Sequence, residues 1–357
     1  MKASLNDGIR TERLGIRVAL VALLTVLTAL PALALEKSMN VLFAYYPPSW
    51  GGFGSSDFAP PKYELLEGQD ATSTTDAERS LGSTWGGAEA KAAFSIVDRV
   101  PFMVGEGSLT KGNNIRGKFS LEVSPVSVNG VGQLSLTPIA FLVFDAGTGI
   151  GTGWTAGSFR GLGINPAGNA ESDIDLTPFG GAVWRVWGAG TFQFDLAAIA
   201  PGEWNHVVLL ATAKAEYKAY SGAGAHDAWL WEADSGENFN GAKFYGTYVL
   251  AYQMPLALNL AGIMLESEEW LGDVRDYGPS SASSGDSWGS DFRIWQIGSV
   301  MNFTLGKDDS LAVLVQFKLK PDWTDATTLN RDFRTRVYED SYWYFNRVAL
   351  SYTHQFR

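Results

Sequence analysis

Apolar and polar residues alternate along much of this chain, which is the pattern of strands with two different faces. The last stretch, residues 344–357, is the clearest case, because every second residue from 348 to 356 is apolar or aromatic. Most of the residues between them are small or polar, Ser351 and Thr353 among them. One face of such a strand suits lipid and the other suits a wet interior. The first row consists of Val348, Leu350, Tyr352, His354 and Phe356.

The same alternation predicts eight further strands between position 115 and the closing strand. Asn129-Gly130 predicts a hairpin turn, and residues 146–181 are predicted to form a long glycine-rich loop. Upstream, strands at 39–46, 86–97 and 100–107 would bring the total to twelve, whereas one strand within 88–105 would give ten. The eight strands are predicted at 115–124, 133–145, 182–197, 204–220, 242–253, 256–266, 292–305 and 311–320.

The lengths of the predicted connections alternate strictly. Counted back from the C-terminus they run long, short, long, short, through eight connections. A transmembrane barrel has long loops outside and short turns on the periplasmic side, whereas a Greek-key sandwich has no reason to alternate. The pattern therefore predicts an all-β fold, a transmembrane antiparallel up-and-down β-barrel of twelve strands, with ten as the alternative.

The closing strand resembles the C-terminal signal of bacterial outer-membrane β-barrel proteins of the porin-like class, although Arg357 follows the near-terminal Phe356. The resemblance implies an outer-membrane location. It also implies that the barrel insertion machinery recognises this strand, which then closes the barrel against the first one. Outer-membrane lipid is the other expected partner. The expected insertion signal consists of Val348, Leu350, Tyr352 and Phe356.

The N-terminus has the pattern of a secretory signal peptide. A basic start is followed by an apolar run at 18–30, too short for a bilayer-spanning helix, and then by Ala32-Leu33-Ala34. Cleavage after Ala34 would remove residues 1–34 and leave 35–357 as a single barrel domain. No cysteine is present, so neither a lipoprotein anchor nor a disulfide framework is expected.

Charge and composition narrow the function classes. Removal of 1–34 leaves 23 basic and 36 acidic residues, a net charge of −13, which argues against nucleic-acid binding. The 13 Trp, 13 Tyr and 20 Phe fit aromatic girdles at two membrane interfaces, and the 40 Gly fit curved strands.

A set of charged and polar residues shares inward parity on four predicted strands. In a wide barrel such residues line a pore for passive passage of small solutes, and in a narrow one they pair across the lumen and close it. A structural or adhesive surface barrel with a closed lumen is therefore the alternative to a channel. The candidate pore-lining residues are Arg116, Lys118, Glu122, Lys214, Glu216, Lys218, Gln316, Lys318 and Arg347.

Candidate catalytic and metal sites are weak. His226 beside Asp227 in an outer loop is similar to barrel proteases of the omptin type, but adjacent residues on an extended chain point to opposite faces. A loop-borne hydrolase using His226 is the second alternative. Acidic clusters at 171–175 and 266–269 match no spaced calcium motif and are expected to be solvated outer surface. We expect no enzymatic activity, no metal and no cofactor.

Overall fold

A computed structural model describes residues 35–47, 87–157, 159–165, 175–224, 227–232, 238–272, 293–323 and 338–356. Residues Lys37–Arg357 form one compact unit. The predicted signal peptide and His226 lie outside the described residues, so both stay predictions.

Twelve strands of the described chain form a single closed antiparallel barrel. Each strand neighbours the next one in sequence, and the last pairs with the first, from Lys37 opposite Phe356 to Tyr45 opposite Val348. The up-and-down fold of twelve strands is therefore confirmed. The strands are β1 (Glu36–Tyr46), β2 (Gly87–Pro101), β3 (Asn114–Val123), β4 (Ser127–Ile139), β5 (Leu142–Gly153), β6 (Val183–Asp195), β7 (His206–Tyr220), β8 (Gly241–Gln253), β9 (Leu258–Trp270), β10 (Ile294–Thr304), β11 (Asp309–Trp323) and β12 (Tyr338–Phe356).

The outer face of the barrel is apolar. Every one of the twelve strands carries at least one large apolar side chain that is exposed, such as Leu134 at 59% and Ile263 at 58%. A soluble monomer rarely exposes so continuous an apolar surface, whereas a barrel in lipid requires one. Among the described residues, no helix has the length and apolarity to span a bilayer. One such residue from each strand in order is Phe43, Ile96, Leu121, Leu134, Ile150, Val186, Leu209, Leu250, Ile263, Ile297, Phe317 and Leu350.

The strand count is right, but two of the predicted boundaries behind it are wrong. The region 86–107 holds one continuous strand, β2, rather than two short ones. The predicted strand 133–145 is instead parts of two strands, because β4 ends at Ile139 and β5 begins at Leu142. The prediction counted one strand too many in 86–107 and one too few in 127–153, so the total of twelve is still correct.

The predicted turn at Asn129-Gly130 is also wrong, since both residues lie inside β4. The chain turns at 124–126, where the Ser124 amide donates to the Ser127 carbonyl at 2.9 Å. The hydroxyls of these two serines are 2.8 Å apart, and the Val126 amide donates to the Ser124 hydroxyl. This local hydroxyl capping makes a tight turn without a glycine.

The glycine-rich run predicted as a loop forms most of β5. Gly147, Gly149 and Gly151 share the inward face, and a Cβ on Gly147 would lie 2.1 Å from the ring of Trp187. A Cβ on Gly149 would come within 3.1 Å of the Arg185 side chain. Glycine is needed here because side chains from β6 lie directly across the β5 backbone.

Counted back from the C-terminus, seven connections alternate long and short as predicted. The eighth prediction, a short turn at the opposite end between the strands at 115–124 and 133–145, is wrong. The long connections lie at the end of the barrel where β1 finishes. They comprise 47–86, 154–182, 221–240, 271–293 and 324–337, and this end also carries the short turn 124–126. The opposite end has the shorter connections 102–113, 140–141, 196–205, 254–257 and 305–308.

Candidate functional site: the barrel lumen

A hydrogen-bonded network runs around one side of the lumen wall. The Tyr46 hydroxyl of β1 donates to Glu89 of β2 at 3.0 Å and accepts from Arg347 of β12 at 3.1 Å. Arg347 also donates to Gln316 of β11 at 2.8 Å, and Gln316 donates to Glu266 of β9 at 2.5 Å. Charges and amides from five strands therefore satisfy one another along the wall, which fixes their positions.

A β-bulge adds a further side chain to this network. The pairing of β11 with β12 shifts between Gln316 and Phe317, so that Asn346 and Arg347 both point inward. The Asn346 amide donates to the side-chain oxygens of Gln316 and Gln296, each at 3.4 Å. Strict alternation would have turned Asn346 toward lipid, and the bulge prevents that.

On the other side of the lumen, one lysine of β7 and one of β8 each pair with a carboxylate. Lys214 bonds to Glu216 at 2.9 Å, and Lys243 bonds to Glu268 of β9 at 2.5 Å. Lys214 also lies 4.4 Å from the centre of the Tyr245 ring. The expectation of solvated outer surface is wrong for Glu266 and Glu268, because β9 continues to Trp270 and directs both into the barrel. Glu269 lies at the exposed edge, where it pairs with Arg293.

Two long connections at the outer end form a small three-stranded sheet, the loop sheet, of Ala228–Trp231, Leu162–Asn165 and Asp175–Leu176. Its core is fully buried, with Leu162 and Trp229 at 0% exposure. This core packs on the ends of β6 and β7, and Lys218 of β7 lies 5.0 Å from the centre of the Trp229 ring.

Glu232 follows the loop sheet and reaches the wall formed by β2 and β4. Its carboxylate bonds to Lys91 at 3.0 Å and accepts from Ser127 at 2.6 Å and from Asn129 at 3.0 Å. Burial opposes ionisation of this carboxyl, but the charge of Lys91 and the Ser127 hydrogen bond outweigh it and lower the pKa of Glu232. The bonds tie a loop anchored on β6 and β7 to strands elsewhere on the wall.

A cavity of about 250 Å³ lies along the inner wall from β3 to β7. Lys118, Arg185 and Lys214 contribute positive charge to its lining, and Glu122 and Glu216 contribute negative charge. Ser120, Val131, Gln133 and Trp187 complete the lining. The cavity is therefore polar and carries one more cation than carboxylate.

The nine predicted pore-lining residues all occupy inward-facing positions of β3, β7, β11 and β12. Four of them, Lys118, Glu122, Lys214 and Glu216, meet at the cavity. Gln316 and Arg347 bond to each other within the network. Arg116, Lys218 and Lys318 do not line the cavity, and the Nε of Arg116 is buried without a hydrogen-bond partner. A role in solute passage stays a prediction for all nine.

Sequence alternation could have found some lumen residues that the prediction omits. Arg185 and Lys243 have inward parity on strands whose existence was predicted, so extending the same count would have included them. Glu232 gives no such signal, because it belongs to a connection with no periodicity and reaches the wall through tertiary contacts alone.

The predicted insertion-signal residues lie on the outward-facing row of β12, where Val348, Leu350, Tyr352 and Phe356 pair with outward-facing residues of β1. Leu350 and Phe356 are exposed. Recognition by the insertion machinery stays a prediction.

The two described histidines each pair with an aspartate at the end with short connections. His354 bonds to Asp309 at 2.8 Å, and His206 bonds to Asp195 at 2.7 Å. The Tyr352 hydroxyl also donates to Asp309 at 2.6 Å, and each histidine–aspartate pair joins two neighbouring strands at the rim.

Comparison of the structure with solved structures finds matches at low sequence identity. An outer membrane channel from Pseudomonas putida is 9% identical, with 92% of this chain and 97% of that chain covered, at a TM-score of 0.39. The KdgM porin is 8% identical, with 90% and 99% covered, at 0.36. LpxR from Salmonella typhimurium is 7% identical, with 89% and 100% covered, at 0.34.

Sequence comparison adds no closer relationship. No family model matches the chain, and no curated protein matches it. The closed ring of twelve antiparallel strands, apolar outside and charged within, gives this chain the architecture of a transmembrane β-barrel.

Proposed function

We propose that the protein is an outer-membrane channel for passive passage of small solutes. One observation carries the proposal: the apolar outer face encloses a wall of charged and amide side chains contributed by strands all around the ring. Such a wall is favourable only next to water or a polar solute, since buried charge in a dry interior is costly. A hydrated lumen lined in this way conducts ions and small polar molecules.

A closed lumen is the second candidate, and the Glu232 contacts favour it. The connection 221–240 is anchored over β6 and β7 through the loop sheet, and its Glu232 bonds to Lys91 and Asn129 on the wall formed by β2 and β4. In this second account, a loop fixed at both places would narrow the outer mouth. The protein would then be a structural or adhesive barrel that presents its outer connections to external partners.

Single-channel recording separates the two candidates. Refolded protein, shown to be folded by a heat-modifiability gel, is inserted into a planar bilayer. A channel gives discrete conductance steps whose ion preference shifts with Lys214→Glu in the lumen. The matched variant Lys111→Glu, in an exposed turn, should leave the preference unchanged. A folded barrel that inserts and stays electrically silent would leave the closed barrel as the better account.

We infer no enzymatic role for the protein. The described histidines serve as rim contacts, and the remaining candidate, His226, lies outside the described residues and is supported by its sequence position alone. Peptide or lipid hydrolysis that is lost in His226→Ala and retained in His206→Ala would overturn this inference.

A further inference from the structure

The lumen wall has a recess where β5 carries glycine instead of side chains. Trp187 and Arg185 lean from β6 over Gly147 and Gly149, as the close approach of both side chains to these glycines shows. The Trp187 ring also lies against Arg185, whose guanidinium carbon is 5.3 Å from the ring centre. Arg185 is thereby held above β5, facing the side chains of β3 across β4.

Lys118 lies on β3 at the opposite side of the recess and lines the same cavity as Arg185. The Arg185 side chain reaches from β6 back over β5, whose backbone is two strands and about 10 Å from that of β3, which leaves room for a small group between the two cations. Within the described part of the chain, neither Lys118 nor the Arg185 guanidinium has an ion pair or a side-chain hydrogen bond.

The cavity's two carboxylates are already engaged. Glu216 bonds to Lys214 at 2.9 Å, and Glu122 lies 4.0 Å from Lys91 outside the cavity lining. Lys118 and Arg185 therefore remain as two cations with unused donors inside a partly enclosed space. An unpaired cation in such a place is stabilised by a mobile anion, because the anion supplies both charge and acceptor atoms.

We infer that this cavity is a binding site for the carboxylate of a small monovalent organic anion, held between Lys118 and Arg185. The guanidinium fork of arginine matches the two oxygens of a carboxylate, and lysine adds a point charge. Lys91 is bonded to Glu232 at 3.0 Å and therefore offsets Glu122 only weakly, so the lining keeps a net excess of one positive charge. That charge suits a monoanion better than a phosphate monoester, which carries about −1.5 to −2. A volume of about 250 Å³ is below the roughly 300–1,000 Å³ of pockets for drug-sized ligands, so the solute is small.

The inference rests on the proposed channel function for its role in passage, but binding itself is measurable without conduction. Isothermal titration of the refolded full barrel in detergent would compare benzoate with benzamide, which has the same shape and no charge. We expect benzoate to bind at least tenfold more tightly than benzamide. Lys118→Gln and Arg185→Gln should each weaken benzoate binding at least tenfold, and Lys111→Gln in the exposed turn should not.

Equal binding of benzoate and benzamide, or unchanged binding in both cavity variants, would overturn the site. Tighter binding of inorganic phosphate than of benzoate would overturn the assignment to monovalent carboxylates. If Arg185→Gln does not fold on the heat-modifiability gel, Lys118→Gln tests the same prediction from the opposite strand.

Bilayer recording of the same proteins distinguishes this inference from the proposed function. Benzoate binding in an electrically silent barrel would support the binding site and refute the channel function. Conduction without charge-dependent binding would support the channel function and refute the binding site.

Discussion

Removing the charge of Glu232 should release the loop that it ties to the wall. Glu232→Gln keeps the size of the side chain and an oxygen that can still accept from Ser127 and Asn129, so it isolates the ion pair with Lys91. The pair is partly buried, with side-chain exposures of 18% for Glu232 and 21% for Lys91. We therefore expect the bonded loop to lose stability while the barrel itself stays folded.

The size of the effect follows from the burial of the pair. Breaking a fully buried ion pair costs about 3–5 kcal/mol, and an exposed pair contributes about 0–1 kcal/mol. Glu122, at 4.0 Å from Lys91, partly replaces the lost charge. A value of about 2 kcal/mol is intermediate, and it raises the ratio of released to bonded loop about thirtyfold.

Single-channel records measure that ratio as the fraction of time spent at the higher conductance level. A double-mutant cycle with Lys91→Met should give a coupling energy of about 2 kcal/mol, because each single variant removes the same interaction. The control is Glu269→Gln, which breaks the pair with Arg293 at the exposed barrel edge and should leave the records unchanged. Single-channel records of Glu232→Gln that match those of the wild type would refute the role of this ion pair in holding the loop. A coupling energy near zero would refute it as well.

Three further predictions test other parts of the structure. Because the pKa of Glu232 is lowered, its ion pair should be complete above the usual glutamate value of about 4.3 and be lost only as pH falls through the lower folded value. Conductance of Glu232→Gln should lack this acid step, and an identical pH profile would contradict it. Gly147→Ala places a Cβ against Trp187 and should cost about 1–3 kcal/mol, seen as earlier loss of the heat-modifiable band. Gly132→Ala, with nothing within 4 Å, is its control, and equal melting of the two would count against the packing. Leu350→Arg on the outer face should cost about 2–4 kcal/mol in a bilayer and lower the folded fraction on the gel, unlike Leu350→Val.

The residue pattern was sufficient to predict the class of fold. Apolar and polar residues alternate on every strand, because each strand has one face toward lipid and the other toward water. The faces of β7 and β12 follow from that rule alone, and so do the inward positions of Lys214 and Arg347. Alternating connection lengths then order the strands, since an up-and-down barrel returns to the same side at every second turn.

Local signals failed where tertiary contacts outweigh them. Asn129-Gly130 is a strong turn signal, yet Asn129 lies in β4 and donates to Glu232 from a distant loop. Gly147 and Gly149 resemble a flexible loop in sequence, yet they form a strand because Trp187 and Arg185 need a wall without Cβ atoms. Neither outcome can be obtained from neighbours in the chain, since the deciding atoms come from other strands.

The sequence alone determined an apolar-out, charged-in barrel and nine inward-facing side chains. Only the tertiary structure decided which of them act together. Closing the sheet brings Lys118 and Arg185, three strands apart, to one cavity, and it brings Glu232 to Lys91. Periodicity specifies the face on which a side chain lies. It carries no information on which strands meet around a closed ring, because that depends on register, bulges and the path of the loops.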